Sequence, residues 1–407
     1  MLRLSSSIWL CIWTLLLQQC VALPAAYSIS LANGTANATD DNPAPPEPVF
    51  SLPYSLPYSL PRLVIYFQSA NDPTGAPISL LPLITEKGIA LTHLIISSFH
   101  INRDQDLVLN DWAPSDTRFD TLWSEAAILQ RAGVRVMGML GGAASGAWTT
   151  DTLDSPDVDT FEHYYGQLHN LIVQHGLQGI DLDVEQKMSQ DGISRLIRRL
   201  TADFNSDYSN RFEITLAPVG SALLPHITGG NLSGFRYQTL ELELGKEIAF
   251  YNAQLYNGWG TVESPIFYQM MLGNGSGLDP ECPWVPEKVL LGDVTSPDNG
   301  DGYVDAPIFN LTVAAIRDTY KPRHEIGGIM GWEYFNSLPG NTAKPWVWAQ
   351  EMTAILRPGL APYLNLTEDD AHQLTAAYAR SVGRRVGARS LPLAEAPPIN
   401  YYDMITK

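Results

Sequence analysis

Cysteine is scarce in this chain, and its placing excludes a disulfide-stapled fold. Of three cysteines, Cys11 and Cys20 lie in an apolar N-terminal leader, so Cys282 stands alone once that leader is removed. An exported protein without a disulfide has to be stabilised by a large core, which 407 residues can supply. Basic residues are also few: 25 Lys and Arg face 43 Asp and Glu, for a formal charge of −18. That balance speaks against nucleic acid and anionic membrane surfaces, and for a neutral or cationic substrate. Beyond the leader no apolar run approaches the ~18 residues of a membrane span, so no membrane partner is expected. Absent too are a His/Cys cluster with metal spacing, a G-x-S-x-G elbow and a Gly-rich phosphate loop.

What is present falls into four segments. Residues 1–26 combine Arg3, the run IWLCIWTLLL at 8–17 and small residues near 22 and 25, the layout of a secretory signal peptide. Residues 27–61 are rich in Pro and Ser, with the repeat SLPYSLPYSLP at 51–61, and read as an extended arm or linker. Sequons at Asn33, Asn37, Asn231, Asn274, Asn310 and Asn365 fit a secreted, extracellular glycoprotein. Residues 62–357 hold eight short apolar runs: RLVIYF, THLIISSF, VRVMGML, LQGIDLDV, FEITLA, IAFYNAQL, KVLLGD and IGGIMGW. Amphipathic stretches separate several of them. Strand followed by helix, repeated eight times, is the pattern of an α/β (β/α)8 TIM barrel. A doubly wound open sheet fits the even count less well. Residues 358–407 form a C-terminal extension in which Leu374, Tyr378, Val382 and Val386 repeat every fourth position after a Thr367 cap, one amphipathic helix.

The fourth run raises the functional question. In LQGIDLDVEQ at 177–186, Asp181, Asp183 and Glu185 alternate with Ile180, Leu182 and Val184. Period-two alternation puts three carboxylates on one face of a strand, about 6.6 Å apart per step. In a barrel the aliphatics would pack on the helices, Asp181 and Asp183 would rise through the interior, and Glu185 would emerge at the mouth. Such a ladder suits a hard metal ion or general acid catalysis, in which lower carboxylates help the uppermost hold a proton. Spacing leaves the two open.

The stretch QGIDLDVE resembles the D-G-x-D-x-D-x-E signature of family 18 glycoside hydrolases. IYFQ at 65–68, VMGMLGG at 136–142, LAP at 216–218, AQLYN at 253–257 and GGIMGW at 327–332 resemble further strands of its plant-type, class III chitinase branch. The resemblance implies that Glu185 protonates the glycosidic oxygen. Asp183 would orient the substrate's own N-acetyl group, whose attack gives an oxazolinium intermediate, and Asp181 would share a proton with Asp183. Tyr256 would hydrogen-bond the acetamido oxygen, Gln254 and Asn257 would shape the same pocket, and Trp332 would floor it. No metal or cofactor is implied. The implied substrate is chitin or chito-oligosaccharides, cleaved by a monomeric endo-acting enzyme. An endo-β-N-acetylglucosaminidase acting on N-glycans, or an inactive chitin-binding relative, is the alternative.

Two positions depart from the pattern. Gln178 replaces the first Asp, and Met139 stands where a Ser is usual, so altered pH dependence is expected. Exposed aromatics are platforms for the apolar C–H face of a sugar. Tyr66, taken as substrate-binding, and Phe67, Trp112, Trp148 and Trp259 are candidates, each with core packing as the plainer alternative. Trp346 and Trp348 read as core.

Overall fold

The computed structural model describes residues 60–205, 212–225, 229–359 and 366–388. The leader, almost all of the proline-rich arm, and the sequons at Asn33, Asn37 and Asn365 lie outside the described residues.

Each apolar run forms a parallel strand: β1 Arg62–Phe67, β2 His93–His100, β3 Arg135–Gly141, β4 Gly179–Asp183, β5 Glu213–Leu216, β6 Ile248–Gln254, β7 Val289–Val294 and β8 Gly328–Trp332. Consecutive strands pair in order, and β8 pairs with β1, which closes the barrel. A two-residue strand, Val108–Leu109, unforeseen in the sequence, runs antiparallel to the end of β2.

A helix follows every strand: α1 Pro82–Thr85, α2 Asp120–Arg131, α3 Val158–His175, α4 Gln190–Phe204, α5 Tyr237–Leu244, α6 Ile266–Leu272, α7 Ala306–Tyr320 and α8 Trp346–Leu356. Local chemistry sets their ends. The Asp157 and Ser189 side chains accept the Thr160 and Gly192 N–H groups at the starts of α3 and α4, and Gly176 stops α3 at φ 60°. The extension forms α9, Glu368–Ala388, with the Thr367 hydroxyl accepting the Asp370 N–H at 3.1 Å. Ala371 and Leu374 are buried in the core, and α9 packs against α2. The side chains of Val382 and Val386 fall outside the described residues.

Period-two alternation splits the core in two. Ile180 and Leu182 join the large cluster between strands and helices, together with Val184 just past β4. Val64, Ile95, Met137, Met139, Phe250, Leu290 and Met330 fill the barrel interior. The amino-terminal end is closed by charge. Glu213 lies 2.9 Å from His93 and 3.2 Å from Arg135, while the Arg62 guanidinium sits 4.7 Å from the centre of the Phe250 ring. Burial pulls His93 below the ordinary histidine range; burial would also raise Glu213, but His93, Arg135 and Arg62 hold that carboxyl down to about 2. With the lower end plugged, the polar residues of the upper interior face the carboxyl-end mouth, where sites in this architecture lie.

Candidate active site

The carboxylates stand at three heights. Asp181 is fully buried among neutral donors: the Tyr66 hydroxyl at 2.8 Å on Oδ2, and the Thr215 hydroxyl at 2.5 Å and Asn252 amide at 3.1 Å on Oδ1. β1, β5 and β6 supply them because those side chains point inward at the same level. Burial raises the Asp181 carboxyl, and the three hydrogen bonds pull it back.

Two residues higher, Asp183 accepts from Gln254 Nε2 at 3.1 Å. That nitrogen also lies 3.3 Å from Glu185 Oε1 and 3.0 Å from the Ala217 carbonyl, so one amide from β6 holds both upper carboxylates. Burial, with Glu185 and Asp181 nearby, pushes the Asp183 carboxyl well above the usual carboxylate range. Asp183 therefore keeps its proton to higher pH than a solvent-exposed carboxyl would. β4 ends at Asp183, and Glu185 reaches the mouth half-buried.

Tyr256 is buried beside the same carboxylates. Burial, then Asp183 and Glu185, raise its phenol well above the ordinary tyrosine value, so it remains a donor. Trp332 ends β8, half-buried, its ring 5.5 Å from that of Tyr66. Its carbonyl accepts the Thr295 N–H at 2.7 Å.

The structure gives the other residues singled out in the sequence the following surroundings. Tyr66 is only 1% exposed and donates to Asp181, which places its hydroxyl in the barrel interior. Asn257 accepts the Asp301 N–H through Oδ1 at 2.8 Å, which pins the loop after β7. Phe67 and Trp148 are core, as is Trp348, while Trp259 and Trp346 are partly buried against it. Gln178 accepts the Val136 N–H at 3.0 Å and is not a hydrogen-bond partner of Asp181. Met139, paired in register with Asp181, contributes packing, and the donors come from other strands.

Thr215, Asn252, Asp293 and Glu333 were missed. A signal existed for the first two: Thr215 shares its face with Glu213, and Asn252 shares one with Gln254 and Tyr256. Glu333, buried, accepts the Gln68 and Ser69 N–H groups at 2.8 and 2.9 Å. Asp293 on β7 is fully buried, accepts the Val304 N–H at 3.2 Å, and is pushed up to about 8 by burial. Its folded value exceeds the ordinary 3.8, so ionising it costs stability above that pH, increasingly until about 8. Asp293→Asn is expected to melt higher than wild type at pH 8, with the gap shrinking to nothing near pH 4. Calorimetry across that range checks this, and a gap independent of pH would contradict it.

Among the described residues no group of His, Cys, Asp and Glu is arranged to hold a metal ion.

Comparisons with known proteins agree with this geometry. The family model for glycosyl hydrolases family 18 matches residues 62–265. A fungal endo-β-N-acetylglucosaminidase of that family is 53% identical, covering 74% of this chain and 100% of its own, with a TM-score of 0.68. The chitinase ChiC of Aspergillus fumigatus is 42% identical over 72% of this chain and 99% of its own, with a TM-score of 0.60. A family 18 chitinase from Pseudoalteromonas aurantia, at 19% identity over 72% of this chain and 100% of its own, shares the fold with a TM-score of 0.53. Curated proteins gave no match. A match over half the chain, and 53% identity over three quarters of it, place this protein in family 18 of the glycosyl hydrolases.

Proposed function

We propose that the chain hydrolyses the β-1,4 bond between two N-acetylglucosamine units, with retention, using the substrate's acetamido group as nucleophile. The observation that carries this reading is the Gln254 amide between Asp183 and Glu185, within the reach of one bound sugar. The acetamido oxygen attacks the anomeric carbon, and the glycosidic C–O bond breaks. Its electron pair takes the proton from Glu185. The two carboxylates then face a cationic oxazolinium, which they stabilise through a short, water-poor path. Tyr256 donates to the acetamido oxygen and Trp332 supports the ring. Water adds to the anomeric carbon, and Glu185 takes the proton back. Asp181, its oxygens held by Tyr66, Thr215 and Asn252, raises the proton affinity of Asp183 through its nearby charge. No step calls for a metal ion.

That disaccharide occurs both in the chitobiose core of N-glycans and in chitin. The N-glycan core is the first reading, supported by the 53% identity to an endo-β-N-acetylglucosaminidase over that protein's whole length. Chitin oligomers are the second, supported by the 42% identity to ChiC. Incubating the purified protein with a high-mannose glycoprotein and with chito-oligosaccharides, chelator present, separates them. Release of the glycan with one N-acetylglucosamine left on the protein is the expected result. Cleavage of the oligomers alone would move the assignment to chitin, and cleavage of neither would refute hydrolysis.

Secretion belongs to the same reading, supported by the leader at 1–26 and the sequons. Asn274 and Asn310 are exposed. Asn231 donates to the Phe235 carbonyl at 2.7 Å, and the hydroxyl of its sequon partner Ser233 is buried on the Val184 carbonyl at 2.6 Å. Expressed in a eukaryotic secretory host, the protein is expected to carry glycans at Asn274 and Asn310 and little at Asn231. Peptide mass spectrometry reads this directly, and the reverse pattern would contradict it.

A further inference from the structure

A cavity of about 650 Å³ opens at the carboxyl end of the barrel, lined by residues from the end of β2 and from the loops after β1, β2 and β3. Its walls are tied to the mouth at two points. Gln68 and Ser69 line it and are held by Glu333, the residue after Trp332. Ala144 lines it, and its carbonyl accepts at 2.7 Å from the side chain of Gln186, the residue after Glu185. The cavity walls are therefore anchored to the residues that directly follow Trp332 and Glu185. Its volume falls within the range of about 300–1,000 Å³ typical of small-ligand sites.

The lining suits hydroxyl groups. His100, Asn102, Gln105 and Asp111 offer both donors and acceptors, and Trp112 offers an aromatic surface. Trp112 is 46% exposed, yet it is held firmly. Leu109 and Trp112 exchange backbone hydrogen bonds of 2.8 and 3.1 Å around a two-residue turn, in which Asn110 takes a φ of 52°. The Asn110 side chain accepts the Ser98 N–H and donates to the Gln68 carbonyl, which fastens the turn to β2 and to the residue after β1. The Arg118 guanidinium lies 3.4 Å from the centre of the indole ring and is itself hydrogen-bonded to Asp116 at 3.2 Å. A large aromatic fixed at the surface with a cation against one face needs little further ordering before a sugar stacks on it.

We propose that Trp112, backed by Arg118, is the stacking platform for a pyranose unit remote from the cleaved bond, so that the cavity selects extended or branched glycans over the bare disaccharide. This rests on the reading of the mouth as a glycosidase site. The shared ligand chemistry is a pyranose with an apolar C–H face and a hydroxyl rim. Outer mannose units of an N-glycan and further units of a chitin oligomer both present it.

The test uses the full chain as Glu185→Gln, chosen to slow turnover during the titration, with and without Trp112→Ala or Arg118→Ala. Calorimetry compares chitobiose, chitohexaose and a high-mannose glycopeptide, while cleavage by the wild type is scored separately. The expected result is that Trp112→Ala lowers the ratio of long-glycan to chitobiose affinity about tenfold, with a smaller loss for Arg118→Ala and unchanged melting temperatures. The long glycan that shows the loss identifies the source of the outer sugar. An unchanged ratio, or no binding of either long glycan, overturns the platform even if the wild type cleaves. A tenfold loss with no wild-type cleavage overturns the hydrolase reading and leaves the platform standing.

Discussion

Glu185→Gln is expected to lower kcat/KM on natural glycans by about 10³-fold, in the middle of the range that one general acid contributes. The substitution keeps size and hydrogen bonding while removing the transferable proton. Glu185 stands half-buried above a filled interior, so the fold should melt as the wild type does. The loss should shrink for substrates with an activated aryl leaving group, whose oxygen needs little protonation to depart. Rates on the two substrate types separate loss of an acid from loss of binding, which would lower both equally. An equal loss would remove Glu185 from its role as proton donor.

Gly141→Ala is expected to abolish most activity and to destabilise the fold by about 2–3 kcal/mol. Gly141 ends β3 at φ 109°, a conformation that side chains rarely adopt. An added methyl would overlap the Asp183 carbonyl and stand 2.7 Å from the buried Trp148 ring. The next residue, Gly142, donates its N–H to that carbonyl at 3.0 Å, so the close approach of β3 to β4 fixes the height of Asp183. A shift of about 1 Å in a positioning strand can cost about 10² in rate. Thermal unfolding and kinetics read the two losses, and an active variant of wild-type stability would mean that Asp183 is placed by other contacts.

Much of the barrel was legible because its strands are buried on both faces and so appear as apolar runs, and the even spacing of eight such runs restricts the topology. The short Val108–Leu109 strand left no such trace: two residues have no period, and their pairing depends on where β2 ends. The acidic face of β4 was equally visible, because charge alternating with aliphatics has few meanings in a buried strand. Its hydrogen-bond partners were less so. Thr215 and Asn252 meet Asp181 only once the barrel closes, and sequence distance conceals that meeting. Tyr66 illustrates the limit from the other side. Its position at the end of the first strand marked it as a residue of the mouth, but which way an aromatic points and how deep it lies depend on its neighbours. Here Asp181 draws its hydroxyl downward. Asn257 likewise belongs to a motif at the mouth, yet its side chain is engaged by a loop that starts forty residues later.

In the proposed mechanism the substrate's own acetamido group, held over Asp183 and Tyr256, attacks the anomeric carbon. Proton NMR of the first-formed reducing sugar during cleavage of a chito-oligosaccharide or chitobiose-core glycopeptide tests it most directly. Two successive displacements at one carbon require the β-anomer to appear first and then mutarotate. Appearance of the α-anomer first would mean that water attacks directly, and would rule out the acetamido nucleophile.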